Sequence, residues 1–509
     1  MIIFAADAFI EHYQGGAELT TEALIQGGYY PLKRILTQHV TVPLMEKNKD
    51  DFWIFGNFSG LDESAMIYAA KNLKYSVVEY DYKFCELRSI EKHNKLVGEC
   101  KCQETVHGKS VAIFLHNAKN IWWMSEKQKQ IYTDIFPALE RANNIVLNSV
   151  FDDQTLDLIE TLKSKKKNEK WIILNSPSWI KGVEDSVKYA KENDLEYELV
   201  FGLEYEDFLK KLSCSKGLIF LPNGGDTCPR LVMEAKMLGC ELVLNEHVQH
   251  KDEEWFTGTP EECMNYLRTR VDYFWKETLS DNEILGLSTI KEKREEENQF
   301  KIIVPFYNAK EWIQRCIKSI KLQDYKNFEC ILINDMSTDD SRAVVEKEIE
   351  GDSRFRLSNT RVKKYALRNI VEGIFFTQAK DEDVIILLDG DDWFPGPNVL
   401  AKLNEYYLDN DCKVTYGSYV LYPQGLRGIE PSPYPKEVIE SNSFRKDEWR
   451  ASHLRTFKYE LFRDININDL QYEDGTFYRM TYDQAIMLPL LEMAGHKSLY
   501  IDDIMHVYN

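Results

Sequence analysis

The sequence predicts an α/β protein whose strands and helices alternate along most of the chain. Short apolar runs, such as residues 384–388, have the length and composition of buried parallel strands. Helical stretches separate these runs, and this alternation predicts doubly wound sheets. The chain has 509 residues, which is more than one ordinary hydrophobic core organises, so we expect two or three domains.

Composition and charge restrict the class of protein. The chain is 44% hydrophobic and 29% charged, which is typical of a globular protein. Its formal net charge of −20 disfavours nucleic acid as a partner without excluding it, because a local basic groove can exist in an acidic protein. No apolar run approaches membrane-spanning length, and residues 1–10 lack the features of a signal peptide. We therefore expect a cytoplasmic protein with no membrane span.

The ten cysteines follow no disulfide-framework spacing, and we expect reduced thiols. Cys100 and Cys102, with Cys85, His93 and His107 nearby, include the residue types of a zinc site. Their C-x-C spacing lacks the usual C-x-x-C pair, so the sequence favours ordinary thiols over a metal site.

The first region, about residues 1–165, is predicted to form one lobe. A loop after the first predicted strand leads to Gly15 and Gly16, which precede a predicted helix at residues 19–25. Small residues at a helix start leave backbone N–H groups open to an anion. The predicted strands of this lobe are residues 2–5, 52–55, 75–78, 111–115 and 144–147.

The second region, about residues 166–272, restarts the pattern after a basic, polar tract. A glycine-containing loop at residues 222–230 joins a strand to a helix, an arrangement suited to the anionic end of a nucleotide sugar. Asp226 lies in this loop, and Glu234 lies on the helix. The predicted strands are residues 171–174, 198–201 and 217–221, and the predicted helices are residues 183–191, 205–212 and 231–238.

Residues 1–272 resemble glycosyltransferase family 4, whose members have the GT-B fold of two Rossmann-like lobes. The resemblance rests on the glycine loop at residues 15–18, on the spaced acids Asp226 and Glu234, and on Lys181 before a glycine. It implies that Glu234 contacts the ribose of the donor, Asp226 the sugar and Lys181 the diphosphate. It also assigns Gly15 and Gly16 to the donor-binding loop.

The sequence departs from the family 4 pattern at one position of the donor site. The arginine expected a few residues before Lys181 is absent, since residues 175–177 are Asn, Ser and Pro. His116 stands where many members carry a histidine. A non-catalytic binding module is therefore an open alternative to a second transferase.

Residues 273–299 are predicted to form a charged helical connector without chemistry, because charges of alternating sign usually form a solvated face. The third region, residues 300–509, begins with a strand that ends in a polar loop. Two further strands are predicted at residues 328–334 and 384–388, with a helix at residues 313–322.

The third region concentrates its acids directly after the predicted strand at residues 384–388. Asp389, Asp391 and Asp392 follow this apolar run, at the end of a strand where open α/β sheets bind ligands. Gly390 is expected to let the backbone turn close to a ligand. Carboxylate oxygens suit Mg²⁺ or Mn²⁺ carrying a diphosphate.

Residues 300–509 resemble glycosyltransferase family 2, which has the GT-A fold. The motifs are Val-Pro-Phe-Tyr-Asn at residues 304–308, Asn-Asp-x-Ser-Thr-Asp at 334–339, Ala-x-Arg-Asn at 366–369 and Leu-Asp-Gly-Asp-Asp at 388–392. The resemblance implies the following roles. Nucleoside contacts are assigned to Pro305, Tyr307, Asn308 and Asp335, the diphosphate to Arg368, the ribose or metal to Asp389, and direct metal ligation to Asp391. As alternatives, Asp335 is only a helix cap and Arg368 a surface cation.

Two residues complete the predicted active site. Asp483 occupies the place of the family's base, which takes the acceptor proton in an inverting transfer; the alternative is a helix N-cap, and the two roles are compatible. His453 lies in a His-x-Arg-x-Phe segment similar to one that delivers a metal ligand in several GT-A enzymes. His506 is the rival ligand.

The combined interpretation is a bifunctional glycosyltransferase. The third region transfers a hexosyl or pentosyl group from a nucleotide sugar, with a UDP-sugar favoured, to a hydroxyl of a glycan or other acceptor. This transfer uses Mn²⁺ or Mg²⁺ and inverts the anomeric centre. The first 272 residues form a second, retaining transferase. The alternatives are a single transferase with a binding module, and a phage-type enzyme that glycosylates DNA bases.

Overall fold

The computed structural model describes residues 1–163, 166–288 and 296–509. The chain forms two compact units, and the predicted α/β class is confirmed. The first unit comprises Met1–Gly28 and Leu32–Phe274, and the second comprises Tyr29–Pro31 and Trp275–Asn509. Residues 289–295 of the predicted connector lie outside the described residues.

The first unit contains a six-stranded parallel sheet with strand order β2-β1-β3-β4-β5-β6. Its central strands are apolar and fully buried, as expected for strands covered on both faces. The strands are β1 (Ile2–Ala6), β2 (Leu32–Leu36), β3 (Phe52–Phe55), β4 (Lys74–Glu79), β5 (Ile121–Trp123) and β6 (Asn144–Val146). The helices are α1 (Gly16–Gln26), α2 (Val42–Lys47), α3 (Glu63–Asn72), α4 (Ile90–Val97), α5 (Val106–His116), α6 (Glu126–Ile135) and α7 (Asp153–Leu162).

The strand predicted at residues 111–115 is wrong, because these residues belong to helix α5. The hydroxyl of Thr105 caps this helix by accepting a hydrogen bond from the N–H of Gly108. Val111, Phe114 and Leu115 are buried while Ile113 is exposed, and this i, i+3, i+4 spacing of buried residues is helical. A short apolar run does not by itself distinguish a buried strand from a helix.

A second sheet in the first unit has four parallel strands in the order β10-β9-β7-β8. The strands are β7 (Trp171–Leu174), β8 (Tyr197–Val200), β9 (Gly217–Phe220) and β10 (Glu241–Leu244). The helices are α8 (Val183–Glu192), α9 (Tyr205–Ser213), α10 (Arg230–Met237), α11 (Glu254–Thr257) and α12 (Pro260–Arg268), and α13 (Arg270–Leu279) and α14 (Asn282–Leu285) follow.

The second unit is built on a seven-stranded mixed sheet with the order β13-β12-β11-β14-β16-β15-β17. Strand β16 runs antiparallel to both neighbours, and the other pairs are parallel. The strands are β11 (Phe300–Phe306), β12 (Phe328–Asn334), β13 (Phe355–Asn359), β14 (Val384–Leu387), β15 (Val414–Leu421), β16 (Arg455–Lys458) and β17 (Ser498–Tyr508). The helices are α15 (Ile313–Lys321), α16 (Ser341–Ile349), α17 (Tyr365–Phe376), α18 (Val399–Asp409), α19 (Lys436–Glu440), α20 (Tyr459–Arg463) and α21 (Tyr482–Ala494).

The strand directions of this sheet determine which residues meet at its edge. Strands β11, β12 and β14 are parallel, so the loops after them lie at one edge of the sheet. Strand β16 begins at Arg455, which pairs with Leu387 at the end of β14. Residues just before β16 therefore reach the same edge.

None of the described helices combines the length and hydropathy that a membrane span requires.

Candidate active site

A cleft of ≈ 570 Å³ lies at the carboxyl ends of β11, β12 and β14, and we call it the strand-end cleft. Open α/β sheets bind ligands at this edge, where the strand-to-helix loops leave backbone and polar side chains accessible. Seven described residues that line the cleft include six of the predicted site residues and one further carboxylate: Pro305, Tyr307, Asn308, Asp335, Asp389, Asp391 and Asp392.

Asp335 lies at the end of β12, and its side chain is held by the start of helix α17. One carboxylate oxygen accepts a hydrogen bond from the N–H of Lys364 at 2.7 Å and the other accepts from the N–H of Tyr365 at 2.9 Å. Burial raises the pKa of Asp335, but these backbone hydrogen bonds outweigh burial, and the pKa lies below its usual value. The side chain is therefore an ionised acceptor that both orders the helix start and lines the cleft.

The loop after β11 is fixed by Asn308. Its side-chain amide donates to Thr338 at 3.2 Å, and its carbonyl oxygen accepts from the N–H of Thr338 at 2.8 Å. These bonds hold the Asn-Asp-x-Ser-Thr-Asp turn against the loop. Tyr307 projects from the loop with 49% of its surface exposed, and the ammonium of Lys363 lies 2.8 Å from the centre of its ring.

The acid loop, residues 389–392, places three carboxylates next to one another after β14. Burial raises the pKa of Asp389, while the Arg455 guanidinium opposes this rise. Partial desolvation in the cleft and the neighbouring carboxylates of Asp392 and Asp389 raise the pKa of Asp391 to about 6. Asp391 itself is the exposed member of the loop, with its carboxylate open to the cleft. The loop therefore carries negative charge that a bound cation would stabilise.

Asp392, His453 and His506 form a compact group beside the acid loop. One ligand atom from each residue lies within 4.8 Å of the other two. Nε2 of His506 lies 2.8 Å from a carboxylate oxygen of Asp392, and the rings of His453 and His506 stack with centroids 4.5 Å apart. An isolated bridge between Val507 and Trp393, the residue directly after the acid loop, holds β17 here and thereby places His506 beside the loop. The two histidines predicted as rivals therefore lie side by side.

The donor set around the acid loop fits a divalent metal. It combines carboxylate oxygens with imidazole nitrogens, the ligand types that Mn²⁺ accepts in proteins. Burial and the Arg455 guanidinium keep the pKa of His453 well below its usual value, which favours the neutral imidazole. Nε2 of His453 accepts a hydrogen bond from Arg455 at 2.6 Å. Nδ1 of His453 lies 3.2 Å from the Ser452 hydroxyl.

Arg455 is a site residue that the sequence analysis quoted within a motif without assigning it a role. Its guanidinium is 2% exposed and lies 3.7 Å from a carboxylate oxygen of Asp389 and 3.8 Å from one of Asp483. A buried guanidinium between two carboxylates compensates their charge and fixes their separation. Its role becomes visible only in the structure, because Arg455 begins β16, which pairs with β14.

Asp483 lies in the first turn of helix α21, next to the cleft residue Tyr482. Its side chain is 32% exposed, so it is accessible to solvent. The alternative interpretation of Asp483 as a helix N-cap does not match the structure, because Thr481 occupies the cap position. The hydroxyl of Tyr482 donates to Asp389 at 2.6 Å and thereby ties the helix start to the acid loop.

The structure does not bring Arg368 into the strand-end cleft. Its Nε donates to Glu372 at 2.8 Å on the exposed face of helix α17, as the surface-cation alternative describes. Among the described residues, the cations that line the cleft are Lys363 and Arg479. Lys363 stands in a basic tract with Arg361 and Lys364, a charge cluster that sequence reasoning passed over.

A cleft of ≈ 480 Å³ in the first unit, which we call the glycine-loop cleft, gathers the predicted donor residues of that region. Its lining includes all five of them: Gly15, Gly16, Lys181, Asp226 and Glu234. Lys181 donates to Asp226 at 2.7 Å. Gly182 adopts φ +58°, and a Cβ there would lie 1.7 Å from the carbonyl oxygen of Leu221, so only glycine fits.

Glu234 is buried at the base of the glycine-loop cleft with Arg230 and Tyr205. Its Oε1 accepts from the Tyr205 hydroxyl at 2.7 Å and lies 3.6 Å from Nε of Arg230. Burial raises the pKa of Glu234, and the Arg230 guanidinium opposes this rise. Arg230 supplies a cation to the cleft from a position for which no role is predicted from the sequence.

His116 does not line this cleft. Its ring is exposed and hydrogen-bonds to the carbonyl of Ala138.

Comparison with known proteins identifies the family of the chain. The family model described as glycosyl transferase family 2 matches residues 301–468. An uncharacterized glycosyltransferase of Haemophilus influenzae is 37% identical over 179 residues, which are 35% of this chain and 69% of that protein. Glycosyltransferase GlyG of Streptococcus pneumoniae serotype 4 is 27% identical over 218 residues, which are 41% of this chain and 69% of that protein. The chain therefore belongs to glycosyl transferase family 2 and is a nucleotide-sugar glycosyltransferase.

Among solved structures, residues 1–349 of Staphylococcus aureus TarS are similar to this chain with a TM-score of 0.33 and 17% identity. The match covers 42% of this chain and 60% of that one.

Proposed function

We propose that the second unit transfers a sugar from a nucleotide-diphosphate sugar, with a UDP-sugar favoured, to a hydroxyl group of a glycan or other acceptor, with inversion at the anomeric carbon. The observation that carries the proposal is the convergence of Asp335, Asp389 and Asp391 on one cleft at the carboxyl edge of a parallel sheet. These acids follow two different strands, so their convergence requires the fold and is not a local sequence effect.

We assign the nucleoside to the part of the cleft near Asp335. Its ionised carboxylate and the loop containing Pro305, Tyr307 and Asn308 offer acceptors and a ring face for a base and ribose. Lys363 and Arg479 supply positive charge for the diphosphate, the role that the sequence analysis gave to Arg368.

We assign a divalent metal, Mn²⁺ or Mg²⁺, to the acid loop. Asp391 is the direct ligand in this proposal, Asp389 assists it, and His453 lies within reach together with Asp392 and His506. When bound, the metal would stabilise the negative charge that develops on the departing nucleoside diphosphate.

We assign the general base to Asp483. In an inverting transfer, the acceptor oxygen attacks the anomeric carbon as its proton moves to a carboxylate oxygen of the base. The solvent-accessible carboxylate of Asp483 is suited to this task. Arg455 holds Asp483 and Asp389 in one network, which links the base to the acid loop.

A screen of nucleotide sugars with Mn²⁺, with EDTA as control, tests the proposal by measuring release of nucleoside diphosphate. We expect metal-dependent release that Asp391→Asn lowers by at least about 100-fold, because the variant removes the charge that holds the metal. The matched control is Asp381→Asn, which alters a surface acid paired with Arg463 and is expected to retain activity. Unchanged release by Asp391→Asn would remove the proposed mechanism.

We also propose that the first unit, at about residues 1–272, is a GT-B-like pair of lobes and a second, retaining sugar transferase. The observation that favours it is that Gly15, Gly16, Lys181, Asp226 and Glu234 line one cleft although they come from both sheets' loops. In this proposal residues 273–299 are the connector and residues 300–509 the GT-A domain. Arg230 would contribute the positive charge that the sequence lacks before Lys181.

A further inference from the structure

Four side chains of zinc-ligand type meet in the first unit, between strand β4 and helix α5. Nδ1 of His93 lies 3.4 Å from Sγ of Cys85 and 3.3 Å from Sγ of Cys102. Sγ of Cys100 lies 3.8 Å from Sγ of Cys85. All four ligand atoms lie within 4.8 Å of one another.

These separations match the edges of a tetrahedral zinc site. Zn–S bonds of roughly 2.3 Å and Zn–N bonds of roughly 2.0 Å place tetrahedral ligand atoms roughly 3.5–3.8 Å apart. The three distances given above, 3.3, 3.4 and 3.8 Å, lie close to these values, and the remaining pairs lie within 4.8 Å. A disulfide would join only two of the four residues and would leave the convergence of the imidazole and the third thiol unexplained.

The local backbone prepares the four residues for a shared ligand. The hydroxyl of Ser89 caps helix α4, which carries His93 on its buried face. The N–H of Cys100 donates to the side chain of Asn94 at 2.7 Å, which fixes the loop after the helix. Cys85 and Cys102 are 1% and 3% exposed, so bulk water does not separate the ligand atoms. Ligands held by packing and backbone hydrogen bonds form a preorganised site.

We propose that Cys85, His93, Cys100 and Cys102 bind one Zn²⁺ as a closed structural site. Three thiolates and one neutral imidazole complete a tetrahedral shell, and binding releases the three thiol protons to solvent. The sequence favoured ordinary thiols because C-x-C is not a zinc knuckle. The structure supplies the two missing ligands from a turn and from a helix. His107 is not a ligand, since it hydrogen-bonds to the carbonyl of Lys83.

The site would stabilise the wall of the glycine-loop cleft. Ser89 and Glu91, at the start of helix α4, pack against the loop that carries Asp226. A Cβ on Gly224 of that loop would lie 3.0 Å from Oγ of Ser89 and 3.1 Å from Oε2 of Glu91. Zinc held between Cys85 and His93 would therefore fix the helix start against this loop.

Metal analysis of the full-length chain tests the proposal. We expect about one zinc per chain after purification from zinc-containing medium, and retention of this zinc in Asp391→Asn, which separates it from the acid-loop metal. Cys102→Ser and His93→Ala are expected to lower the content to less than about a tenth. The matched control Cys214→Ser alters a partly exposed cysteine outside the group and is expected to keep the zinc.

A second measurement, made on the wild-type chain, tests the proposal even if the variants do not fold. Chelator-treated wild-type chain is titrated with Co²⁺, and we expect the absorption of a tetrahedral cobalt–thiolate complex at about one equivalent, displaced by Zn²⁺. Chelation of the zinc is expected to lower Tm. A folded wild-type chain that contains no zinc and gives no cobalt–thiolate absorption overturns the proposal, as does a Cys85–Cys100 disulfide in the purified chain.

Discussion

Arg455 is the residue on which the geometry of the strand-end cleft depends. It is buried, and its two Nη atoms face Asp389 and Asp483. A buried guanidinium is stable only when its charge is compensated, and the same holds for the carboxylates around it. The three residues therefore fix one another, and the proposed base acquires a defined position relative to the acid loop.

Arg455→Lys tests this coupling, because lysine keeps the charge and loses the planar fork. We expect turnover to fall by about 100-fold, since an ammonium does not hold Asp389 and Asp483 together. The apparent KM for the donor should change much less. Nucleoside diphosphate release at saturating donor measures the effect. Turnover within about twofold of wild type would show that Arg455 does not position the base.

His250 provides a pH-dependent prediction at a position outside both clefts. Its ring is fully buried between Trp255 and Phe256, and neither ring nitrogen has a hydrogen-bond partner among the described residues. Burial lowers the pKa of His250 to about 3. In the unfolded chain the pKa is near 6.5, so between these values the unfolded chain binds one more proton than the folded chain.

The free energy of unfolding should therefore decrease as the pH falls below about 6.5, by up to about 1.4 kcal/mol per pH unit from this residue. Above that pH, His250 is neutral in both states and contributes no pH dependence. Denaturant unfolding of wild type and His250→Leu between pH 7 and pH 5, at roughly half-unit steps, measures the difference. Equal pH slopes for the two proteins would contradict the prediction.

At the scale of elements, the turn after β14 depends on the absence of a side chain at Gly390. A Cβ there would lie 2.5 Å from Cβ of Phe306, which is fixed by the backbone of β11. From the sequence, Gly390 is expected to let the backbone turn close to a ligand. The structure gives a further reason, because β11 and the acid loop themselves approach closely at this point.

Gly390→Ala should destabilise the second unit by about 1–3 kcal/mol and displace the acid loop, because the backbone must move to relieve the contact. We expect lower activity per folded molecule and weaker Mn²⁺ activation, measured with Tm on the same samples. The matched control is Gly396→Ala, whose Cβ meets the terminal Cδ1 of the Leu285 side chain at 2.4 Å and is expected to cost less, because a side-chain rotation rather than a backbone shift can relieve the contact. Equal effects of the two variants would contradict this explanation.

Element prediction succeeded where the local pattern decides the structure. Strands β3, β7 and β12 have the predicted bounds because each is a short apolar run with a clear end. Residues 111–115 have a similar local composition but form a helix, in which Val111, Phe114 and Leu115 are buried at helical spacing. The composition of the run alone does not separate the two cases.

At the scale of the whole molecule, part of the active site was predictable from the sequence and part was not. The acids after β12 and β14 follow from sequence, because parallel strands end at one edge of a sheet. The group of Asp392, His453 and His506 does not, because it depends on β16 and β17 joining the sheet from distant parts of the chain. The zinc-ligand group likewise requires a turn, a helix and a loop to meet. The pairing of β16 and β17 is long-range and leaves no local pattern, whereas the four zinc-ligand residues are close in sequence and only their convergence requires the fold.

For the whole chain, we predict two independent transfer activities, one in each unit. If both units are transferases, Asp391→Asn should abolish one metal-dependent activity and leave the other, while Glu234→Gln should do the reverse. Glutamine keeps the size of Glu234 and loses the charge beside Arg230, so we expect at least about a tenfold loss at that site.

The measurement is nucleoside diphosphate release from a panel of nucleotide sugars by wild type, each variant and the double variant. Circular dichroism verifies that Glu234→Gln is folded. If Glu234→Gln leaves the turnover of every nucleotide sugar unchanged, the first unit is a binding module and the chain has one transferase activity. Turnover by the double variant above about a tenth of the wild-type rate would instead require a catalytic site outside the two clefts.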